Sequence, residues 1–174
     1  MALTLYDASI PSFLNMMRNL AAILRKAEAH AMAGGVDPTS YLEAQLAPDM
    51  RPLVRQIQMA SDSVKGGAGR LANVTPPEMP DTEATWADVQ ARVAKTIAFL
   101  ESIDRAAIDG GDDQRIIELK MPGRTLPLTA PNFLLRFSLP NAYFHVVTAY
   151  ALLRAQGVPL GKADYLMGDQ GLPS

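Results

Sequence analysis

The sequence contains no cysteine and only two histidines in 174 residues. The missing cysteines exclude disulfides, thiolate metal sites and a cysteine nucleophile, and suit a reducing compartment. No charge of one sign dominates: 16 Lys+Arg stand against 18 Asp+Glu, for a net charge of -2. Without a basic patch or acidic tail, no nucleic acid partner is expected. No apolar run approaches the roughly 18–20 residues that span a bilayer, so no membrane segment is expected. Met1-Ala2-Leu3-Thr4-Leu5-Tyr6-Asp7 lacks the basic and apolar regions of a signal peptide. The expectation is a cytoplasmic protein. Also missing are HExxH, a GxSxG elbow and a phosphate-binding glycine loop. Gly66-Gly67-Ala68-Gly69 lacks the Lys-Ser/Thr pair and preceding strand of a P-loop.

What is present is a set of long amphipathic segments, with 48% apolar and 20% charged residues. Phe13, Met17, Leu20, Leu24, Ala27 and Ala31 recur at spacings of four and three, which predicts a first helix over 10–32. Ser9 is its expected cap and Gly34-Gly35 its stop. Asp37-Pro38 opens a short helical turn to about Gln45. A second helix is predicted from about Asp49, with Pro52 in its first turn. Leu53, Ile57, Ala60, Val64, Ala68 and Leu71 form its stripe. Gly66, Gly67 and Gly69 each cost about 1 kcal/mol relative to alanine. The reading favoured is a helix that continues through them, the glycines admitting a close neighbour. Pro76, Pro77 and Pro80 mark a linker.

The third helix is predicted over 83–107, with Trp86, Val93, Ile97, Leu100 and Ala107 on one face and Gly110-Gly111 as the stop. Residues 114–129 change character. Ile116, Ile117, Leu119, Leu126 and Leu128 flank the turn signal Pro122-Gly123, which predicts a small β-hairpin with Pro127 on an edge strand. The last helix runs from about Pro131 to Gln156, with Thr129 as cap and Gly157…Pro159 as stop. Pro140 inside it is expected to kink the helix and free the carbonyl of Arg136. The tail, 158–174, reads as loop packed on the helices. Four long helices with these connections predict one all-α domain over 1–174, an up-and-down four-helix bundle with the hairpin inserted before the last helix.

The residues that could carry chemistry are few. His30 falls in the last turn of the first helix, beside the stripe, and reads as a rim histidine. His145 lies one turn after Asn141, beside the last helix's apolar residues Phe137, Phe144, Thr148 and Ala151. An i, i+4 pair can converge on one ion, but asparagine is a poor zinc ligand, and a hydrogen-bonded core histidine fits the same spacing. Asp62 and Lys65, one turn apart, read as a solvated pair. Asp49 reads as a cap, and the methionines at helical spacing as core filler.

The segment Asn141-Ala-Tyr-Phe-His145-Val-Val-Thr-Ala-Tyr-Ala-Leu-Leu153-Arg154-Ala-Gln-Gly157-Val-Pro159 resembles the last helix of the DinB/YfiT-like bundle superfamily. The whole chain resembles an uncharacterised bacterial family within it. Leu46-Ala-Pro-Asp49-Met-Arg-Pro52-Leu with Gln56, Ala94-Lys95-Thr96-Ile97-Ala98-Phe99-Leu100 and Gly157-Val-Pro-Leu-Gly161-Lys162-Ala-Asp164-Tyr165-Leu carry that closer match. In the superfamily a divalent metal is held by one histidine of the second helix and an HxxxH pair of the fourth. The pair's second member precedes Leu-Arg-x-x-Gly. The resemblance therefore places His145 as a metal ligand, since it precedes Leu153, Arg154 and Gly157 in the same relation. It also places Asn141 where the pair's first histidine stands, and Gln56 at the second-helix position. One imidazole with two amides predicts a degenerate site that holds a divalent metal weakly at most.

Three readings of function follow. The first is non-catalytic binding of a small-molecule ligand or a partner, with Gln56, Asn141, His145 and Arg154 as ligand-binding residues. The second is a divalent-metal-dependent enzyme of the thiol-transferase or isomerase type, working in the bundle cleft with Arg154 holding an anionic substrate. The third is a structural or regulatory dimer. A homodimer is expected because the last helix is apolar on two faces. Phe137, Phe144, Ala151 and Leu152 supply the bundle core, which leaves Leu135, Leu139, Val146, Tyr150 and Leu153, with Phe99, for a symmetric partner.

Overall fold

Thr4 and Asp7 decide where the first helix begins. Each accepts from the other's backbone N–H in a capping box, so helix α1 spans Leu5–Ala33 and starts earlier than its apolar stripe suggests. Ser9 is not the cap. It lies buried inside the helix, and its hydroxyl donates to the Leu5 carbonyl at 2.7 Å. The predicted stripe from Phe13 to Ala31 is fully buried. The computed structural model describes residues 3–112 and 114–169. The last part of the expected tail, 170–174, lies outside the described residues.

After a 3-10 turn at Pro38–Glu43, helix α2 (Leu53–Ala72) begins beyond Pro52, which stands at its N-cap, and Asp49 lies in the preceding turn. The helix runs unbroken through its glycines to Asn73, which closes it in the left-handed conformation at φ 54. Gly67 is needed for contact. A Cβ there would lie 2.2 Å from Ser138 Oγ and 3.1 Å from the Phe13 ring.

Helix α3 (Trp86–Glu101) is capped by a second box, Thr85 with Asp88. It ends before the predicted 107, because the Ser102 hydroxyl turns back to the Phe99 carbonyl and Asp104 caps a separate short helix, α4 (Arg105–Asp109). Ala107 is exposed there, and Ile108 takes the core position. Strands β1 (Ile116–Met121) and β2 (Arg124–Thr129) pair antiparallel as the predicted hairpin, with Met121 opposite Arg124 and Gly123 at φ 76. Ile117 and Leu119 point inward.

The last long helix comprises α5 (Ala130–Phe133), a π-helical turn (Leu134–Ser138) and α6 (Leu139–Ala155). Pro140 does not divide it. The ladder before the proline shifts to i→i+5, with the Leu139 N–H on the Leu134 carbonyl. In that spacing the carbonyl opposite the missing donor is that of Leu135, on the exposed side, rather than that of Arg136. The last element among the described residues is α7 (Lys162–Met167), a helix where loop was expected. It is held to α1 by Asn19 on the Tyr165 carbonyl and by Lys26 on Asp164.

The architecture is a four-helix bundle with the hairpin before the last helix. Helix α2 packs against α6 and α3, and α1 against α3 and α6. Arg18 pairs with Glu101 and Gln90 with Glu28, so α1 and α3 are antiparallel. The linker 73–85 returns along α2, and α3 starts at the same end as α2, with the Trp86 N–H on Thr39 Oγ1. The bundle therefore departs from strict alternation at one connection.

A buried cation holds that linker. The Arg92 side chain is 1% exposed and meets Glu83 at 2.8 Å, Asp62 at 2.9 Å and Asp81 at 3.2 Å. Gln58 donates to the other oxygen of Glu83. Burial by itself would lower the Arg92 pKa, but the Glu83 hydrogen bond and the surrounding carboxylates leave it raised. Asp62 is thus more than the solvated partner of Lys65. It joins α2 to α3.

Leu152 is buried as expected and Phe137 half-buried, but otherwise the two faces of α6 are exchanged relative to the expectation. Leu139, Ala142, Val146, Ala149 and Leu153, at spacings of three and four, are buried within the chain's own core. Phe144 and Val147 are 55% and 43% exposed. The five-residue face that suggested a homodimer is mostly consumed by the bundle, and only Leu135 remains fully outside it. With apolar residues all round, the helical wheel does not select a face, and the π turn resets the phase between Phe137 and Phe144.

Gly67→Ala is expected to lower stability by about 2 kcal/mol, the usual range for overpacking. That corresponds to roughly 4–8 °C in Tm for a chain of this length. Adding Ser138→Gly should restore most of the loss. An unchanged melting midpoint for the single variant would contradict the close packing at this crossing.

Candidate functional site

The site is built where α2 and α6 run antiparallel. Gln56 meets His145, Ser63 meets Asn141, and Gly67 faces Ser138, so rising numbers on one helix meet falling numbers on the other. Between them, with β1 and α5 at one end, lies a cleft of about 270 Å3. Met59, Leu119, Phe133 and Phe137 give it apolar walls, and Ser63, Arg70, Asn141 and His145 supply polar groups.

His145 is 4% exposed, and its Nδ1 is 2.9 Å from Gln56 Oε1. The Gln56 amide nitrogen donates to the Arg51 carbonyl at 3.0 Å. That contact orients the amide so that its oxygen faces the imidazole. Nδ1 therefore carries the proton and donates to Gln56, which leaves the lone pair on Nε2. The Phe144 ring meets the imidazole edge-on, with centroids 5.2 Å apart. Burial pushes the His145 pKa below its usual value and keeps the ring neutral.

The expected residues are not all brought together. Gln56 and His145 are in direct contact. Asn141 lines the same cleft, but its amide nitrogen donates to Ser63 Oγ at 2.7 Å, and Ser63 in turn donates to the Met59 carbonyl. Arg154 stands apart. Nine residues beyond His145, or about 13 Å along the helix, it reaches the Leu160 carbonyl and the Tyr150 hydroxyl. It fastens the end of α6 to the following chain and does not line the cleft. His30 lies at the end of α1, outside the site. The Ser63 partnership, Leu119 and Arg70 have no signature in the sequence, because they reach the cleft only through the helix crossing and the hairpin.

The donor set does not fit a divalent metal. Among the described residues no three His, Cys, Asp or Glu side chains are placed to share an ion. Gln56 Oε1 is occupied by His145 Nδ1, and Asp62 by Arg92 and Lys65. One imidazole nitrogen and one amide oxygen remain, fewer and weaker donors than a zinc-type site requires. Gln56 instead plays the part of a residue that orients an imidazole from behind.

The neutral imidazole makes stability depend on pH. The folded pKa lies below the ordinary imidazole value of 6.5, so below about 6.5 the unfolded chain takes up a proton that the folded chain refuses. Stability is then lost as pH falls from 6.5 towards the folded value. Glu83, held below 4.5 by Arg92 and Gln58 against the opposing effect of burial, contributes its own loss only at lower pH. Between pH 6.5 and 5 the denaturation midpoint should fall for the wild type and fall less for His145→Gln. Equal slopes for the two proteins would show that His145 is not held neutral by the fold.

Comparison with known proteins agrees with this architecture. No curated protein matches the chain. A solved structure described as a DinB family member protein from Shewanella denitrificans is 37% identical, with a TM-score of 0.85, and the match covers 98% of this chain and 94% of that one. The family described as "Domain of unknown function (DUF1993)" matches residues 5–166. This chain is a member of the DUF1993 family, with the fold of a DinB-like helical bundle.

Proposed function

We propose that this protein binds a small molecule in the α2–α6 cleft without transforming it. The observation that carries this reading is His145: buried, neutral, held in one tautomer by Gln56, and facing an open cleft with apolar walls. Recognition needs one fixed acceptor of that kind. A carboxylate, Asp62, also lines the cleft, but it is engaged by Arg92 and Lys65, and His145 Nδ1 is backed by the neutral Gln56 amide rather than by an acid, which favours binding over acid–base chemistry. A fragment screen by 1H–15N NMR tests the proposal. Binders should shift signals around Ser63, Asn141 and His145, and His145→Leu should weaken them. Binders that map only to a second groove, lined by Leu14, Arg18 and Asn19 of α1 with Met167 of α7, would overturn it.

The alternative, a divalent-metal enzyme of the thiol-transferase or isomerase type, predicts stoichiometric metal that is lost on His145→Ala. Here, zinc, nickel and manganese at 100 µM are expected to leave Tm unchanged. A ligand present at 100 times its Kd adds about 2.7 kcal/mol, a rise too large to miss.

We also propose that two copies associate through the outer face of α6. Pro140, Phe144, Val147 and Ala151 follow one another at spacings of four and three, and Phe144 and Val147 are the exposed large side chains among them. Light scattering at micromolar concentration should give twice 18.8 kDa, and Phe144→Ser should give the single chain with an intact fold. A wild-type monomer would remove this proposal and leave the cleft reading untouched.

A further inference from the structure

We propose that the occupant of the α2–α6 cleft is a small aromatic molecule carrying an O–H or N–H donor, of the phenol or indole class, whose proton is accepted by His145 Nε2. This rests on the reading of the cleft as a small-molecule site.

The size of the cleft limits the ligand. At about 270 Å3 it falls just below the roughly 300–1,000 Å3 of sites for drug-sized molecules, so it takes one or two rings. The walls favour a flat apolar body. The Phe133 and Phe137 rings are stacked 6.0 Å apart with planes only 27° from parallel, and Met59 and Leu119 complete the surface. Aromatic faces prefer offset or edge contact with another ring, and the Met59 sulfur adds a polarisable contact.

The polar groups select for a donor. Gln56 takes the Nδ1 proton, so the nitrogen left for a ligand is an acceptor. Asn141 gives one amide N–H to Ser63, which fixes the amide beside the imidazole and leaves its oxygen as a further acceptor and one N–H as a donor. Ser63 and Ser138 give their hydroxyl protons to the Met59 and Ser63 carbonyls. Arg70, an exposed residue, lies over the Phe133 ring with one N–H on the Gly66 carbonyl, so its charge sits at the rim of the cleft, away from His145. A ligand without a donor would bury the imidazole acceptor unpaired, an expense that a hydrogen-bonding site turns into discrimination. Gln56 is a positioning residue here: it touches no ligand and acts by fixing which ring nitrogen is the acceptor.

Phenol and toluene have nearly the same shape, and they test the inference by the sign of a preference. A purely apolar cleft takes toluene more tightly, because the phenol hydroxyl must be stripped of water. A cleft that reads a donor takes phenol more tightly. Titrations followed by NMR on the full chain should show phenol binding several-fold more tightly than toluene, with the 15N signal of His145 Nε2 moving on phenol addition. In His145→Phe, which keeps the volume and removes the acceptor, the order should reverse. In Gln56→Leu the phenol affinity should fall, and the free imidazole should show a mixture of tautomers in its 15N shifts. Toluene binding the wild type as tightly as phenol, at the cleft residues, would overturn the donor inference while the cleft reading stands. If neither probe shifts the cleft residues, both fail.

Discussion

The contact between α2 and α6 at Gly67 sets the register of everything around it. With no Cβ at that point, the Ser138 hydroxyl and the Phe13 ring come close enough to fix the depth of the crossing. Antiparallel helices locked at one level are locked at every level, because each rises by about 1.5 Å per residue. Ser63 therefore arrives at Asn141 and Gln56 at His145, and the cleft between them has a defined width. The π turn belongs to the same arrangement. It places Ser138 at the crossing and lets Pro140, which has no N–H to give, sit on the exposed side.

Much of this was legible in the sequence, and the exceptions have physical reasons. The α1 and α2 stripes were readable because each helix has one apolar face and a polar remainder. The hairpin was readable from Pro122-Gly123. The start of α1 was misplaced because Ser9 looks as good a cap as Thr4, and only the Asp7 partner separates them. The inner face of α6 was not readable, since Leu139, Val146 and Leu153 on one side and Phe144 and Val147 on the other are equally apolar. No periodicity argument chooses between them.

The site was half legible. Family spacing pointed to Gln56 and His145, but not to the fact that one orients the other. That fact depends on the Arg51 carbonyl holding the amide by its nitrogen. Asn141 was placed beside His145 by its position one turn earlier, yet its partner, Ser63, is 78 residues away in the chain. The Arg92 cluster has no signature in the sequence for the same reason. Its carboxylates come from α2 and from the proline-rich linker, and a composition rich in proline and acid reads as a surface loop.

That linker and the hairpin tip look alike on paper, both rich in turn residues and both outside the long helices. Their tolerance to change is opposite. Between Pro76 and Glu83 the chain carries two of the carboxylates that neutralise a buried guanidinium, so added residues there would leave a charge stranded in the interior. At Pro122-Gly123 the chain is exposed, and nothing approaches within 4 Å of where a Gly123 Cβ would lie. The hairpin tip is thus the place where this fold can accept a fused peptide or an evolutionary insertion. The linker, for all its proline, is a part whose length is fixed.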